Sequence, residues 1–255
     1  MIDRRPIWRV DRRADWGLPR YRWRDALVEA ACVVPRLGAV ARLRLSYLTT
    51  PAALARHPHP RLALGSGPVP PDGWCGLDIS RTGTNVFRAD LRLGLPARTG
   101  TVDAILAEHV LEHLCFDDLP RLFAECRRVL RPGRPIRIVS PDAGHLARLL
   151  TLADSAEADP AVAHDASVHR WDADGMRWAR TVNRVSHQWG EHRSLLTAGM
   201  VASFLATAGF VAVHAPPAGE SVHFPVPPDV HARRFPDEPK HVNFAVEALA
   251  PGDTA

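Results

Sequence analysis

The chain has 255 residues, 46% hydrophobic and 24% charged, the proportions of an ordinary globular protein with room for one sizeable α/β core. No apolar run reaches the roughly 18–20 residues of a bilayer span, and Met1 to Arg5 open without an apolar signal segment, so a cytoplasmic protein with no membrane span is expected. The net charge of +4 is unevenly placed: residues 1–50, with eleven Arg against five Asp or Glu, carry +6 and the rest −2.

Residues 1–24 mix Trp8, Trp16 and Trp23 with eight arginines. Such a mixture suits stacking and phosphate binding, but no nucleic-acid module accompanies it, and an arm packed on its own domain is the expected reading. From Asp25 to Leu48 the spacing of Leu27, Ala31, Val34, Leu37, Val40 and Tyr47 predicts one bent helix or two short ones, interrupted at Pro35 and Gly38. Residues 1–50 thus read as an N-terminal helical arm, and His57-Pro-His-Pro60 as the linker to a main domain over 51–255.

Strands and helices then alternate, the pattern of a doubly wound α/β sheet. Strands are predicted at Arg61–Leu64, Cys75–Ile79, Val86–Leu91, Val102–Ala107 and Pro135–Ser140, with a strongly amphipathic helix from Asp117 to Leu130 that Arg131-Pro-Gly133 stops. Asp142 would cap a helix to about Leu152. Ala153–Asp174 reads as a loop or lid, with lid-like insertions placed at about 153–194 and 215–240. Thr197–Ala208 reads as a helix, and Phe210–His214 and His241–Leu249 as the last strands. The four cysteines, Cys32, Cys75, Cys115 and Cys126, form no Cys-x-x-Cys pair and read as free thiols.

In an open α/β sheet a nucleotide-like cofactor lies at the carboxyl ends of the strands. Gly65-Ser66-Gly67 follows the first strand, where missing side chains let a ligand approach the backbone. Asp78 ends the second strand, where a carboxylate can accept ribose hydroxyls. Asp90 ends the third and would bind an adenine amino group. One Gly-x-Gly is weak evidence, and the ordered set carries the inference.

Leu64-Gly-Ser-Gly67, Gly73-Trp74, Leu77-Asp78, Asp90-Leu91, Leu95-Pro96, Asp103, Leu111-Glu-His113 and Arg128-Val-Leu-Arg-Pro-Gly133 stand in the order of the short bacterial class I S-adenosylmethionine-dependent methyltransferases, which this chain resembles over residues 61–142. The resemblance implies a seven-stranded, mostly parallel Rossmann-like sheet closed by an antiparallel hairpin, with S-adenosyl-L-methionine as cofactor. It would place Gly65, Ser66 and Gly67 on the methionine part, Asp78 on the ribose, Asp90 with Leu91 on the adenine, and Glu108 near the sulfonium. One departure stands out: only Pro68–Trp74, with three prolines, separates the glycine turn from the second strand, where most class I enzymes have a helix. That argues against a pyrophosphate cofactor such as NAD and leaves the methionine end less enclosed.

Methyl transfer to an alcohol gains from a neutral histidine near the methyl. His109, past the fourth strand, and His192, in the stretch Ser186–Ser194, are the candidates. His109-Val-Leu-Glu-His113 matches an inverted zinc-protease pattern, but that pattern requires a helix where a strand ends. A divalent ion on His109, Glu112 and His113 is a further alternative, and the reading carries no metal. The expected function is O-methylation of a small-molecule or sugar acceptor. The alternatives are a binding protein on the same scaffold without turnover, and a nucleic-acid methyltransferase using the Arg- and Trp-rich arm.

Overall fold

Short strands with apolar side chains on both faces need cover on both sides, and the architecture follows from that need. The computed structural model describes residues 23–80, 83–171 and 176–252. Most of the Arg- and Trp-rich arm, residues 1–22, lies outside the described residues. A single helix, α1 (Trp23–Leu54), runs through Pro35 and Gly38 without ending, and the chain parts into two units inside it, after Arg42.

The sheet is built from β1 (Arg61–Leu64), β2 (Cys75–Asp78), β3 (Val86–Arg88), β4 (Ala104–Glu108), β5 (Pro135–Pro141), β6 (Val211–His214) and β7 (Asn243–Leu249). Its order is β3-β2-β1-β4-β5-β7-β6; β7 is antiparallel to both neighbours, and the other pairs are parallel. This is the doubly wound, seven-stranded, mostly parallel sheet that the sequence predicts.

One face carries Leu62, Leu64, Ile105, Ala107, Ile136 and Ile138, all buried in the main apolar cluster with Leu119, Leu122, Phe123 and Cys126 of α2 (Leu119–Val129) and Val201 and Leu205 of α7 (Ala198–Thr207). The opposite face has a different covering. Register aligns Gly76, Ala63, Leu106, Arg137 and Glu247 in one row across β2, β1, β4, β5 and β7. The short 68–74 connection supplies no helix there; Trp74 covers Ala63, Ala104 and Leu106, and Phe224 packs against it, the ring centroids 6.2 Å apart.

Farther along the row, the same proline-rich stretch is held by charge. Arg137 is fully buried and forks onto Asp229 through Nε and Nη2 (2.6 and 2.5 Å), while Nη1 donates to Glu247 Oε1 at 2.7 Å and to the Glu220 carbonyl. Glu247 also accepts from Ser221 Oγ and from the backbone N–H groups of Val222 and His223. Burial opposes ionisation of Arg137 and Glu247, yet these bonds outweigh it: the Arg137 pKa is raised and that of Glu247 lowered.

Three elements differ from the sequence reading. β3 stops at Arg88, so Asp90 lies beyond it and caps a single 3₁₀ turn, Leu91–Leu93. The predicted loop after Leu152 contains α4 (Ala153–Ala156) and α5 (Pro160–His169). With α3 (Ala143–Thr151) and α6 (Arg177–His187) these helices enclose a second small core of Leu149, Ala156, Val162 and Val182, flanked by Trp178. Alanines sit on either side of a helix with little penalty, which left no periodic stripe to read. The stretch 215–240, read as a lid, contains the single-turn helix α8 (His231–Arg234).

Among the described residues no helix is long and apolar enough to cross a membrane. Cys75 and Cys126 are buried and Cys115 exposed, all three free.

Removing one partner from a buried charge cluster leaves the others uncompensated, at a cost of about 3–5 kcal/mol. Arg137→Met should therefore lower unfolding stability by about that amount in urea titration, whereas Arg233→Met, on the exposed α8, should change it by less than about 0.5 kcal/mol.

Candidate active site

The carboxyl ends of β1–β4 open into a cleft of about 600 Å³, lined by Gly65, Leu77, Asp78, Asp90, Leu91 and Val110 among others. That size falls within the roughly 300–1,000 Å³ of small-molecule sites. Gly65 turns the chain at φ +57°, and a Cβ there would come within 2.3 Å of Val110 Cγ2, so no other residue fits.

Asp78 holds this turn from below. Its Oδ2 accepts from Gly67 N–H at 2.9 Å, and its Oδ1 from Ser80 N–H and Oγ, both at 2.8 Å. Three of about four carboxylate acceptor positions are thereby used.

Asp90 is gripped by Arg92 in a two-pronged pair, Nε to Oδ1 at 2.8 Å and Nη2 to Oδ2 at 2.6 Å, and this holds its carboxyl below the usual range. Tyr47, near the end of α1, donates its hydroxyl to the carbonyls of Asp90 (2.7 Å) and Gly94 (2.8 Å). Burial and the Asp90 carboxylate push that phenol up to about 12. Leu91 is buried at the cleft wall.

A smaller cleft, of about 180 Å³, continues behind the turn between Ser66, Gly67, Glu108, Val230 and His231. Both oxygens of Glu108 accept backbone N–H groups there, Oε2 from Val230 at 2.7 Å and Oε1 from His231 at 2.9 Å. Burial raises the Glu108 pKa.

His109 lines both clefts and also a third pocket, of about 110 Å³, enclosed by α3, α5, α6 and the 231–243 segment. It sits at φ +51°, a conformation that costs a non-glycine residue about 1–3 kcal/mol and is found preferentially at functional sites. Nδ1 lies 3.4 Å from Glu112 Oε1, while Nε2 is buried without a partner. The ring stacks on His231 with centroids 3.9 Å apart, and His231 Nε2 contacts Glu238 Oε2 at 2.7 Å. A row of carboxylate, imidazole, imidazole, carboxylate results. Burial opposes protonation of His109, but Glu112, Glu108 and Glu238 outweigh it and its pKa is raised; Glu112 is correspondingly lowered.

His192 faces the same third pocket. Its Nδ1 must donate to the Val185 carbonyl, at 2.5 Å, and its ring meets His113 edge-on with centroids 4.9 Å apart. Burial lowers its pKa. Ligand atoms of Glu112, His113 and His192 lie within 4.8 Å of one another. Within that group Glu112 Oε2 accepts from Ser140 Oγ at 3.0 Å, while Oε1, 3.4 Å from His109 Nδ1, has no hydrogen-bond partner.

The structure thus brings Gly65, Asp78, Asp90, Leu91 and His109 to one cleft, and His109 and His192 to one pocket. Sequence reasoning missed Arg92, Tyr47, His231 and Glu238. Arg92 follows Asp90 at a spacing that permits the fork, but nothing in the proline-rich segment signals that His231 would reach His109.

Residues 75–136 match the family model described as a methyltransferase domain. No curated protein matches the chain. Among solved structures it is similar to a SAM-dependent methyltransferase from Archaeoglobus fulgidus (16% identity, 80% of this chain and 94% of that one, TM-score 0.43). A second is an S-adenosylmethionine-dependent methyltransferase from Mesorhizobium loti (18% identity, 78% and 96%, TM-score 0.43).

The match falls within a mostly parallel sheet whose last strand is reversed, with a glycine turn and acidic residues at successive strand ends. Residues 75–136, from β2 into β5, are those of a methyltransferase domain, and the chain is similar to S-adenosylmethionine-dependent methyltransferases.

A raised His109 pKa adds stability that is complete below the ordinary histidine value of about 6.5 and is lost as pH rises through the raised value. The lowered Glu112 carboxyl adds stability present above its ordinary value and lost as pH falls through the lowered one. Nuclear magnetic resonance titration should find His109 above the free-histidine value in the native chain and lower in Glu112→Gln, where only Glu108 and Glu238 still oppose burial.

Proposed function

We propose that the enzyme methylates a hydroxyl of a small-molecule or sugar acceptor seated in the pocket beneath α5 and α6, with His109 as general base. One observation carries this reading: the buried Nε2 of His109 is unpartnered while Nδ1 faces Glu112, at the point where the cofactor cleft meets the third pocket. In the neutral form with its proton on Nδ1, toward Glu112, the Nε2 lone pair accepts a hydroxyl proton, so the base acts at pH above the raised His109 value. The pocket lining favours a polar acceptor, since His145, His164, Asp165, Arg184 and Glu238 supply donors and acceptors around a small volume.

For the cofactor we propose that Gly65, Ser66 and Gly67 lie along its methionine part and that Asp78 offers its remaining acceptor capacity to a ribose hydroxyl. Asp90 and Leu91 frame the adenine. Glu108 borders the sulfonium side from the smaller cleft while it holds Val230 and His231. The bound cofactor supplies a methyl group already activated on a sulfonium, so alignment and exclusion of water provide much of the acceleration. His192, its Nδ1 engaged by Val185, acts as a positioning residue on the far side of Glu112.

Incubation with methyl-labelled S-adenosylmethionine and a panel of polyols, phenols and sugars should label a hydroxyl of at least one compound. On that compound His109→Gln should lower kcat by about 10²–10⁴-fold, the usual contribution of a general base, with a smaller change in KM. Labelling confined to nitrogen, carbon or RNA, or cofactor binding with no transfer to any acceptor, would contradict the assignment.

A further inference from the structure

Three groups outside the base and cofactor machinery converge at the rim of the acceptor pocket. His145 stands in the first turn of α3, Asp159 caps α5, and His241 lies in a 3₁₀ turn, Lys240–Val242, just before β7. Asp159 Oδ1 is 4.0 Å from His145 Nε2 and 3.5 Å from His241 Nε2, and all three ligand atoms lie within 4.8 Å of one another. His145 is 3% exposed, lines the pocket, and its Nε2 has no hydrogen-bond partner. A buried ring nitrogen without a partner costs free energy unless something fills its coordination.

We propose that His145, Asp159 and His241 form a binding site for a divalent cation of the zinc class. Two imidazoles and one carboxylate, with no thiolate, suit zinc among the borderline ions. Metal–ligand lengths of about 2.0–2.1 Å at tetrahedral angles set the ligand atoms about 3.3 Å apart, so the 3.5 Å contact is nearly in place and the others close by small side-chain rotations. Burial lowers the His145 pKa, which favours the neutral, ligating form. Asp159 Oδ1 accepts from Ala161 N–H at 2.8 Å, fixing the carboxylate as helix cap and ligand together. The ion joins α3, α5 and the turn before β7, so both segments enclosing the pocket are clipped to one point. Three protein ligands leave a position open to an oxygen donor such as water or an acceptor hydroxyl. The proposal stands independently of the reading of His109.

The test is isothermal titration of Zn²⁺ into the untagged, chelator-treated full chain, with Co²⁺ absorption as the readout of coordination. One equivalent should bind with a four- or five-coordinate cobalt spectrum. His241→Ala, at an exposed position that does not threaten folding, and Asp159→Asn should each weaken binding by about tenfold or more. His113→Ala should leave it unchanged. The absence of stoichiometric binding, binding indifferent to His241→Ala, or loss of the ion in His113→Ala would overturn the site.

Discussion

Arg137 is the constraint around which one side of the molecule is arranged. A guanidinium fully buried in the middle of a sheet is tolerable only if it is paired and saturated, and Asp229 and Glu247 do both. Because Asp229 belongs to the proline-rich segment, the pairing draws residues 220–231 down onto a face that a helix would otherwise cover. Phe224 packs on Trp74 at one end, and Glu108 takes the N–H groups of Val230 and His231 at the other. An irregular segment with few backbone hydrogen bonds of its own is thus fixed at several points.

That anchoring has a chemical consequence. It stacks His231 on His109 and brings Glu238 to the outer side, so the imidazole at the junction of cleft and pocket lies between carboxylates at 3.4 Å on one side and beyond a second ring on the other. The carboxylates raise the pKa of that ring, and its Nε2 is left without a hydrogen-bond partner. The positive φ of His109 is stored strain at the same point, supported by the packing around it. The large cleft and the third pocket therefore meet at one residue, itself placed by a segment far from it in sequence.

The sheet was legible in the sequence because its signals are local: apolar runs of four to seven residues bounded by glycine and proline, in an order that also carried the family resemblance. The glycine turn and Asp78 were legible for the same reason. α5 was not, because its alanines give no periodic stripe and its order comes from packing on Leu149 and Val182. The fork from Arg92 to Asp90 and the hydroxyl of Tyr47 on the Asp90 carbonyl were invisible as well, although all three residues are plain in the sequence; their roles depend on β3 ending three residues early. His231 and Glu238 are held at the site by contacts distant in sequence, among them the pairing of Arg137 with Asp229 across about 90 residues and Glu108 on the His231 N–H, which no local pattern encodes.

The central claim is that one cleft along the ends of β1–β4 holds the cofactor and meets the acceptor pocket at His109. A crystal structure of the chain with S-adenosylhomocysteine tests it most directly. The account predicts the adenosine between Asp78 and Leu91, with the sulfur end turned toward His109 and the third pocket. Density for the ligand elsewhere, or a sulfur directed away from His109 to open solvent, would contradict it.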